Sequence, residues 1–299
     1  MKFYTGSSGI LAKKAQLEPM LGHPLHAFKA SVNFAEDDVL VGWGQKANTR
    51  QIKQKAQALK LPYWQLEDGF IGYIGHPARE GVPVSLIADP VGVYYDARQP
   101  SSLEQLIATP CSAEMLARAE ALKWELLRLG ITKYNCYGAD RGLPQALAAR
   151  LHNDTRPNVL LIDQVAGDLS IPGALASAED FIEMVEAARR NHPGARLLLR
   201  THPDTRLGKK SGVLARLALD DVEVIAEHCH PHDLLNQVEA VYTVSSQMGF
   251  EALLMGKPVY CFGMPFYAGW GLTHDSKQCS RRQVQVSLPQ LVAAALIQY

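Results

Sequence analysis

Apolar residues come in short bursts along this chain, and most bursts end in a polar turn. The clearest is Val159-Leu-Leu-Ile162, which runs into Asp163-Gln-Val-Ala-Gly-Asp168. A continuous apolar run of that length marks a buried parallel strand, which presents its polar tip at the carboxyl end. Similar runs predict strands at 39–43, 63–66, 85–89 and 92–96 in the first half. In the second half they predict strands at 195–200, 222–225, 241–244 and 258–262. Helical spacing predicts helices near 10–20, 49–59, 113–129, 143–151, 177–190, 232–238 and 249–255. A further helix starts at Pro100-Ser-Ser-Leu-Glu104, with a capping serine and an acid in its first turn. Gly130 stands where a helix ending at 129 needs a left-handed residue.

Strand and helix therefore alternate, which predicts an α/β chain built on doubly wound parallel sheets. Asn153-Asp-Thr-Arg-Pro157 is short, polar and closed by a helix-breaking proline. It divides the chain into an expected N-terminal domain, 1–152, and an expected C-terminal domain, 153–299.

Composition narrows the class. The 299 residues are 47% hydrophobic and 20% charged, enough for two cores. Lys+Arg and Asp+Glu are 30 each, so the net charge is zero and a nucleic-acid partner is not expected. Five cysteines with no CxxC pair fit a reduced, cytoplasmic protein. The opening residues lack the apolar core of a signal peptide, and no apolar run approaches the ~20 residues of a membrane span. Any membrane contact is expected to be peripheral.

In an open α/β sheet, ligands bind beyond the carboxyl ends of the strands. Those positions hold Glu67, Asp68, Asp89, Asp96, Gln164, Asp168, His202, Ser245, Ser246 and Gly263. Two such halves with polar strand ends suggest a transferase that takes a nucleotide-sugar in a cleft between them. Asp168 suits a nucleophile or base at an anomeric carbon; the blander alternative is an Asx turn that caps the next loop. Glu67-Asp68-Gly69 suits a general acid/base, or a solvated turn. His202-Pro203 suits a phosphate contact, or an ordinary loop. Ser245-Ser246-Gln-Met-Gly249 sits at a strand-to-helix turn, where hydroxyls and a helix N-terminus hold anions; simple N-capping would coexist with that. Arg200, Lys209 and Lys210 add charge, or face solvent. The tract His228-Cys-His-Pro-His232 has no second cluster to complete a metal site. The apolar run 250–255 is expected to be core. GxSxG and GxxxxGK[ST] are both missing from the sequence, so hydrolase and ATPase readings lack their motifs.

Taken together, these segments resemble one family. The pieces are Leu66-Glu-Asp-Gly-Phe70, Ser85-Leu-Ile-Ala-Asp89, Gly92-Val-Tyr-Tyr-Asp-Ala97, Pro100-Ser-Ser-Leu-Glu104 and Lys133-Tyr-Asn135. They continue with Gln164-Val-Ala-Gly-Asp168, His202-Pro-Asp204, Gly249-Phe-Glu-Ala-Leu-Leu254 and Gly263-Met-Pro-Phe-Tyr-Ala-Gly-Trp-Gly-Leu-Thr273. In this order they resemble the β-Kdo glycosyltransferases of capsular polysaccharide synthesis, the KpsC type. The resemblance implies a GT-B-like fold, two Rossmann-like domains with a cleft between. It implies retaining transfer of Kdo (3-deoxy-D-manno-octulosonic acid) from CMP-β-Kdo to a lipid-linked or oligo-Kdo acceptor. The chain would act in capsule linker synthesis, alone or within a capsule-assembly complex. Asp168 of the Gln-x-x-x-Asp motif would be the nucleophile and Glu67 the acid/base. Gln164, Arg200, His202, Pro203, Ser245, Ser246 and Gly249 would contact the donor. Asp68, Gly69 and Lys133 would form an acceptor-side or structural loop. CMP is a good leaving group, so no metal or other cofactor is expected.

Two positions depart from the family. Ile71-Gly-Tyr73 stands where Leu-Arg-Ser is usual, and Arg200 where Lys is common. One module is present, and Ser245-Ser-Gln-Met-Gly-Phe250 is closer to the amino-terminal, β-2,4-type module. The rival readings are another CMP-sugar transferase, of the sialic-acid type, and a non-catalytic capsule-assembly module.

Overall fold

The computed structural model describes the chain apart from residues 76–80, 138–141, 202–204, 206–209 and 218 and the side chain of residue 216. Two sheets carry it, together with a small hairpin. The first sheet comprises β1 (Phe3–Thr5), β2 (Leu25–Ala27), β3 (Val39–Trp43), β4 (Tyr63–Asp68) and β7 (Leu86–Asp89). Its order is β2-β1-β3-β4-β7, parallel except for β7. Between β4 and β7 the short pair β5 (Tyr73–Ile74) and β6 (Val82–Pro83) forms the hairpin.

The second sheet comprises β8 (Asn158–Ile162), β9 (Arg196–Arg200), β10 (Val222–Ile225), β11 (Ala240–Thr243), β12 (Val259–Cys261) and β13 (His274–Asp275). It is parallel throughout in the order β10-β9-β8-β11-β12-β13. Counted along the chain that is 3-2-1-4-5-6, the doubly wound order, which reverses between β8 and β11. The first sheet reads 2-1-3-4-5, the other common doubly wound order.

The apolar run of β8 is buried on both sides. Leu160 and Ile162 enter one core cluster, while Val159 and Leu161 enter another. That split follows from the two-residue period of a strand. Each fully buried Leu here contributes roughly 1.5–3 kcal/mol. The strands of the first sheet all precede residue 90 and those of the second all follow residue 157. The helices between them, Ser102–Ala108, Ala113–Leu129 and Gln145–His152, send Leu103, Ile107, Ala119, Leu147 and Leu151 into the same core as Leu160 and Val241.

Local elements differ from the sequence reading in identifiable ways. The expected strand at 92–96 is a turn. The Asp89 carboxylate accepts the Val91 and Gly92 N–H groups at 2.7 and 3.1 Å, which ends β7. The Pro100 carbonyl also packs where a Gly92 side chain would stand. The expected helix at 10–20 is two helices, Ser8–Ala12 and Lys14–Leu21, broken at Lys13. The short strands β1, β2 and β13 were not anticipated, being only two or three residues each.

Candidate active site

A cleft of about 660 Å³ opens at the carboxyl ends of the strands. The first sheet and its loops contribute Trp43, Gly44, Glu67, Asp68, Tyr95 and Lys133 to it. The second contributes Gln164, Asp168, Arg200, Ser245, Ser246 and Glu251.

The turn after β8 is built from the inside out. Asp163 is buried, and its two oxygens accept four backbone N–H groups. These are Gln164 at 2.9 Å, Val213 at 3.0 Å, Leu214 at 2.9 Å and Ala215 at 3.1 Å. Burial raises its pKa, and the four N–H bonds oppose the rise. The segment 211–215 is thereby fastened beneath the turn, with Ala166 donating to the Ser211 carbonyl at 2.9 Å. Gly212 is required there, because a side chain would collide with the Asp163 carboxylate.

Gln164 bridges the point where the strand order reverses. Its Oε1 accepts the Ser245 N–H at 2.8 Å, and its Nε2 donates to the Ser245 hydroxyl at 2.9 Å. Both ends of the amide are thus spent on the tip of β11. Gly167, at φ +82°, then swings the chain so that Asp168 stands exposed on the rim. Its Oδ1 accepts the Ser170 N–H at 2.8 Å. The Asx turn weighed above is therefore formed, and it occupies one carboxylate oxygen.

Across the cleft, Glu67 stands one residue before the end of β4. Its Oε1 accepts the Trp43 indole N–H at 3.0 Å and the Asp68 N–H at 3.1 Å. Burial, with the neighbouring Asp68 charge, pushes its pKa up to about 7. The Tyr95 hydroxyl and Glu67 Oε2 converge on Gly44, 2.6 and 2.7 Å from where its Cβ would lie. The same tyrosine feels the charges of both Glu67 and Asp168. Asp68 accepts the Tyr73 hydroxyl at 2.6 Å.

The remaining calls divide. Ser246 caps the helix Gln247–Leu254, its hydroxyl accepting from the Met248 N–H at 3.3 Å. Gly249 lies one turn further in and is buried; a side chain there would strike the Tyr267 hydroxyl. Gly69 likewise lies behind the wall, against Ser85. Arg200 lines the cleft with both terminal nitrogens held by Cys229, at 3.1 Å to Sγ and 3.1 Å to the carbonyl. His202, Pro203 and Lys209 lie outside the described residues; Lys210 lines the cleft. In the histidine tract, His230 accepts the His232 N–H at 3.1 Å and caps the helix Pro231–Leu235, while His228 stacks on Tyr137. Asp89 and Asp96 are buried in loop networks.

Two residues of the wall escaped the sequence reading. Tyr95 was read as part of a strand. Glu251 lies in the apolar run expected to be core, yet it lines the cleft. It accepts the Lys133 N–H at 3.3 Å, and burial pushes its pKa up to about 7. The available signal was a carboxylate interrupting an otherwise apolar helix.

Two Rossmann-like sheets that share one cleft at their strand ends define the GT-B architecture. The comparisons make the assignment specific. The family model described as "Capsule polysaccharide biosynthesis protein" matches residues 38–129 and 115–299, and the chain belongs to that family. It is 39% identical over 290 residues to the capsule polysaccharide modification protein LipA of Neisseria meningitidis serogroup B. The match covers 94% of this chain and 41% of LipA. It is 35% identical to the lipopolysaccharide-processing protein LpsZ of Rhizobium meliloti, covering 87% of this chain and 58% of LpsZ. The chain thus spans about half the length of these relatives. Among solved structures, it resembles the β-Kdo 2,4 transferase of Thermosulfurimonas dismutans KpsC at 42% identity and TM-score 0.90, covering 99% of this chain and 90% of that one. The β-Kdo 2,7 transferase of the same KpsC matches at 28% identity and TM-score 0.70, covering 100% and 91%.

Proposed function

We propose that this chain is a retaining β-Kdo glycosyltransferase that moves Kdo from CMP-β-Kdo to a Kdo-containing, lipid-linked acceptor in capsule linker synthesis. One observation carries the reading. Asp168, with one oxygen uncommitted, and Glu67, with its pKa near neutrality, come from different sheets into one cleft. The greater likeness to the 2,4 transferase favours a β-2,4 linkage.

The chemistry runs in two displacements. The free oxygen of Asp168 attacks the anomeric carbon, and the bond to CMP breaks with its electron pair leaving on the phosphate. The acceptor hydroxyl then attacks the same carbon while Glu67 takes its proton, and the Asp168 carboxylate departs. Two inversions give retention. Charge on the departing phosphate is met by Arg200, by the hydroxyls of Ser245 and Ser246, and by the N-terminus of the helix they precede. Gln164 holds Ser245 in position. His202 and Pro203 join this set through the family resemblance. Such a leaving group requires no metal. A lipid-linked acceptor brings the enzyme to the inner face of the membrane as a peripheral protein; among the described residues no helix is long and apolar enough to cross one.

The test is incubation with CMP-Kdo and a Kdo-terminated acceptor, with Kdo transfer as the expected result. Absence of transfer together with absence of CMP binding overturns the reading in favour of an assembly module, and transfer from CMP-sialic acid alone would reassign the donor. Glu67→Gln slows only the second displacement, so mass spectrometry is expected to find one Kdo residue attached at Asp168. An Asp168→Ala variant with undiminished transfer refutes the nucleophile.

A further inference from the structure

Lys133 lines the cleft beside Glu67, half-buried, on a backbone fixed from several sides. Its carbonyl accepts the N–H groups of Gly72 and Tyr73, each at 3.0 Å. Its own N–H donates to Glu251 in the other half. Asn135 closes the turn around it, accepting the Thr132 N–H at 2.9 Å and donating to the Tyr73 carbonyl at 2.9 Å. The main chain is therefore rigid, and every one of these bonds is independent of the side chain.

The ammonium group contrasts with that rigid frame. It makes no hydrogen bond or ion pair with any described residue and lies over the Tyr134 ring, 5.6 Å from its centre. Burial opposes its charge, while the neighbouring Asp68 and Glu67 carboxylates favour it, and its pKa is raised overall. A half-buried ammonium with no hydrogen-bonded counter-charge is costly to the fold, and an anionic ligand removes that cost.

We infer that Lys133 binds the carboxylate carried on the anomeric carbon of the transferred sugar. The inference rests on the proposed function and names the group that selects its donor. In an ulosonic acid the carboxylate is bonded to the very carbon that Asp168 attacks. It must therefore lie at the reacting centre, between the Asp168 and Glu67 walls. Lys133 stands on the Glu67 side. Arg200, the buried guanidinium of the cleft, is engaged with Cys229 at the end of β9, on the nucleotide side. Lys133 thereby separates acidic sugars from neutral aldoses, which have no carboxylate for it to hold.

The test compares the full chain with its Lys133→Gln and Lys133→Arg variants, using CMP-Kdo and a Kdo-terminated acceptor. Transfer by the unaltered chain comes first; its failure overturns the proposed function and this inference with it. Given transfer, Lys133→Gln is expected to raise the KM for CMP-Kdo about 10- to 100-fold, the weight of one charge-assisted hydrogen bond. Inhibition by CMP alone should stay as it was, the melting temperature should not fall, and Lys133→Arg should recover part of the loss. An equal weakening toward CMP means a general distortion of the cleft and overturns the inference. A rise in the acceptor KM with the donor KM unchanged assigns the lysine to an acceptor carboxylate and overturns it too, as does no change in either.

Discussion

Replacing Glu67 by Gln should pull stability and activity in opposite directions, and the structure sets the size of each effect. The pKa of Glu67 rises from an ordinary 4.5 to about 7. The native chain therefore holds a proton on this group between those values, while the unfolded chain has released it. A raised carboxyl pKa stabilises the native state at low pH, and that stability is lost as pH climbs from the lower value to the higher. The gap between 4.5 and about 7 is worth at most about 3.4 kcal/mol. Gln carries no such charge, and it keeps an oxygen for the Trp43 and Asp68 N–H groups. The variant should match the parent chain near pH 4.5 and exceed it at pH 8, by roughly 5 °C in melting temperature at the full value. Transfer should fall about 10²- to 10⁴-fold, the contribution of a positioned base. Glu251 also titrates near 7, so the pH profile of the parent chain alone does not identify the base. In the parent, kcat/KM for the acceptor should rise as pH passes 7, and the Glu67→Gln profile should lose that step. Melting temperatures that track each other at both pH values, or an unaltered step in the variant, refute this account of Glu67.

Other substitutions probe the frame around the site. Asp163→Ala strips the shared acceptor from four backbone N–H groups, and should cost about 2–4 kcal/mol in urea unfolding while weakening transfer through the displaced Asp168 turn. Gly249→Ala forces a methyl against the Tyr267 hydroxyl, which donates to the Ser246 carbonyl at 2.5 Å. A loss of about 1–3 kcal/mol is expected, with a raised KM for the donor as Ser246 shifts. Treatment with EDTA should leave more than half of the transfer activity, since the leaving phosphate is met by protein groups; a larger loss, restored by a divalent ion, argues for a metal.

The alternation of strand and helix was legible because a parallel strand covered on both faces must be apolar without interruption, and β8 reads that way from Val159 to Ile162. The exposed tip at Asp168 was legible for the same reason: a buried strand has to end in polar residues, and Gly167 supplies the turn. Sequence pattern also located Glu67, the cap at Ser246 and the family to which the motifs belong. What it could not contain is proximity. Gln164 acts through Ser245, 81 residues away, because the strand order reverses between β8 and β11. Asp163 and Gln164 are adjacent and equally polar, yet one turns inward to four backbone donors and the other bridges two strands. Glu67 and Asp68 differ in the same way: burial and the Asp68 charge raise the pKa of Glu67 to about 7, which no local pattern encodes. The expected strand at 92–96 failed because Pro100 packs against Gly92 from a separate turn. Periodicity decides which face a residue takes. The meeting of two sheets decides its neighbours and their charges, and with them the chemistry available to Asp168, Glu67 and Lys133.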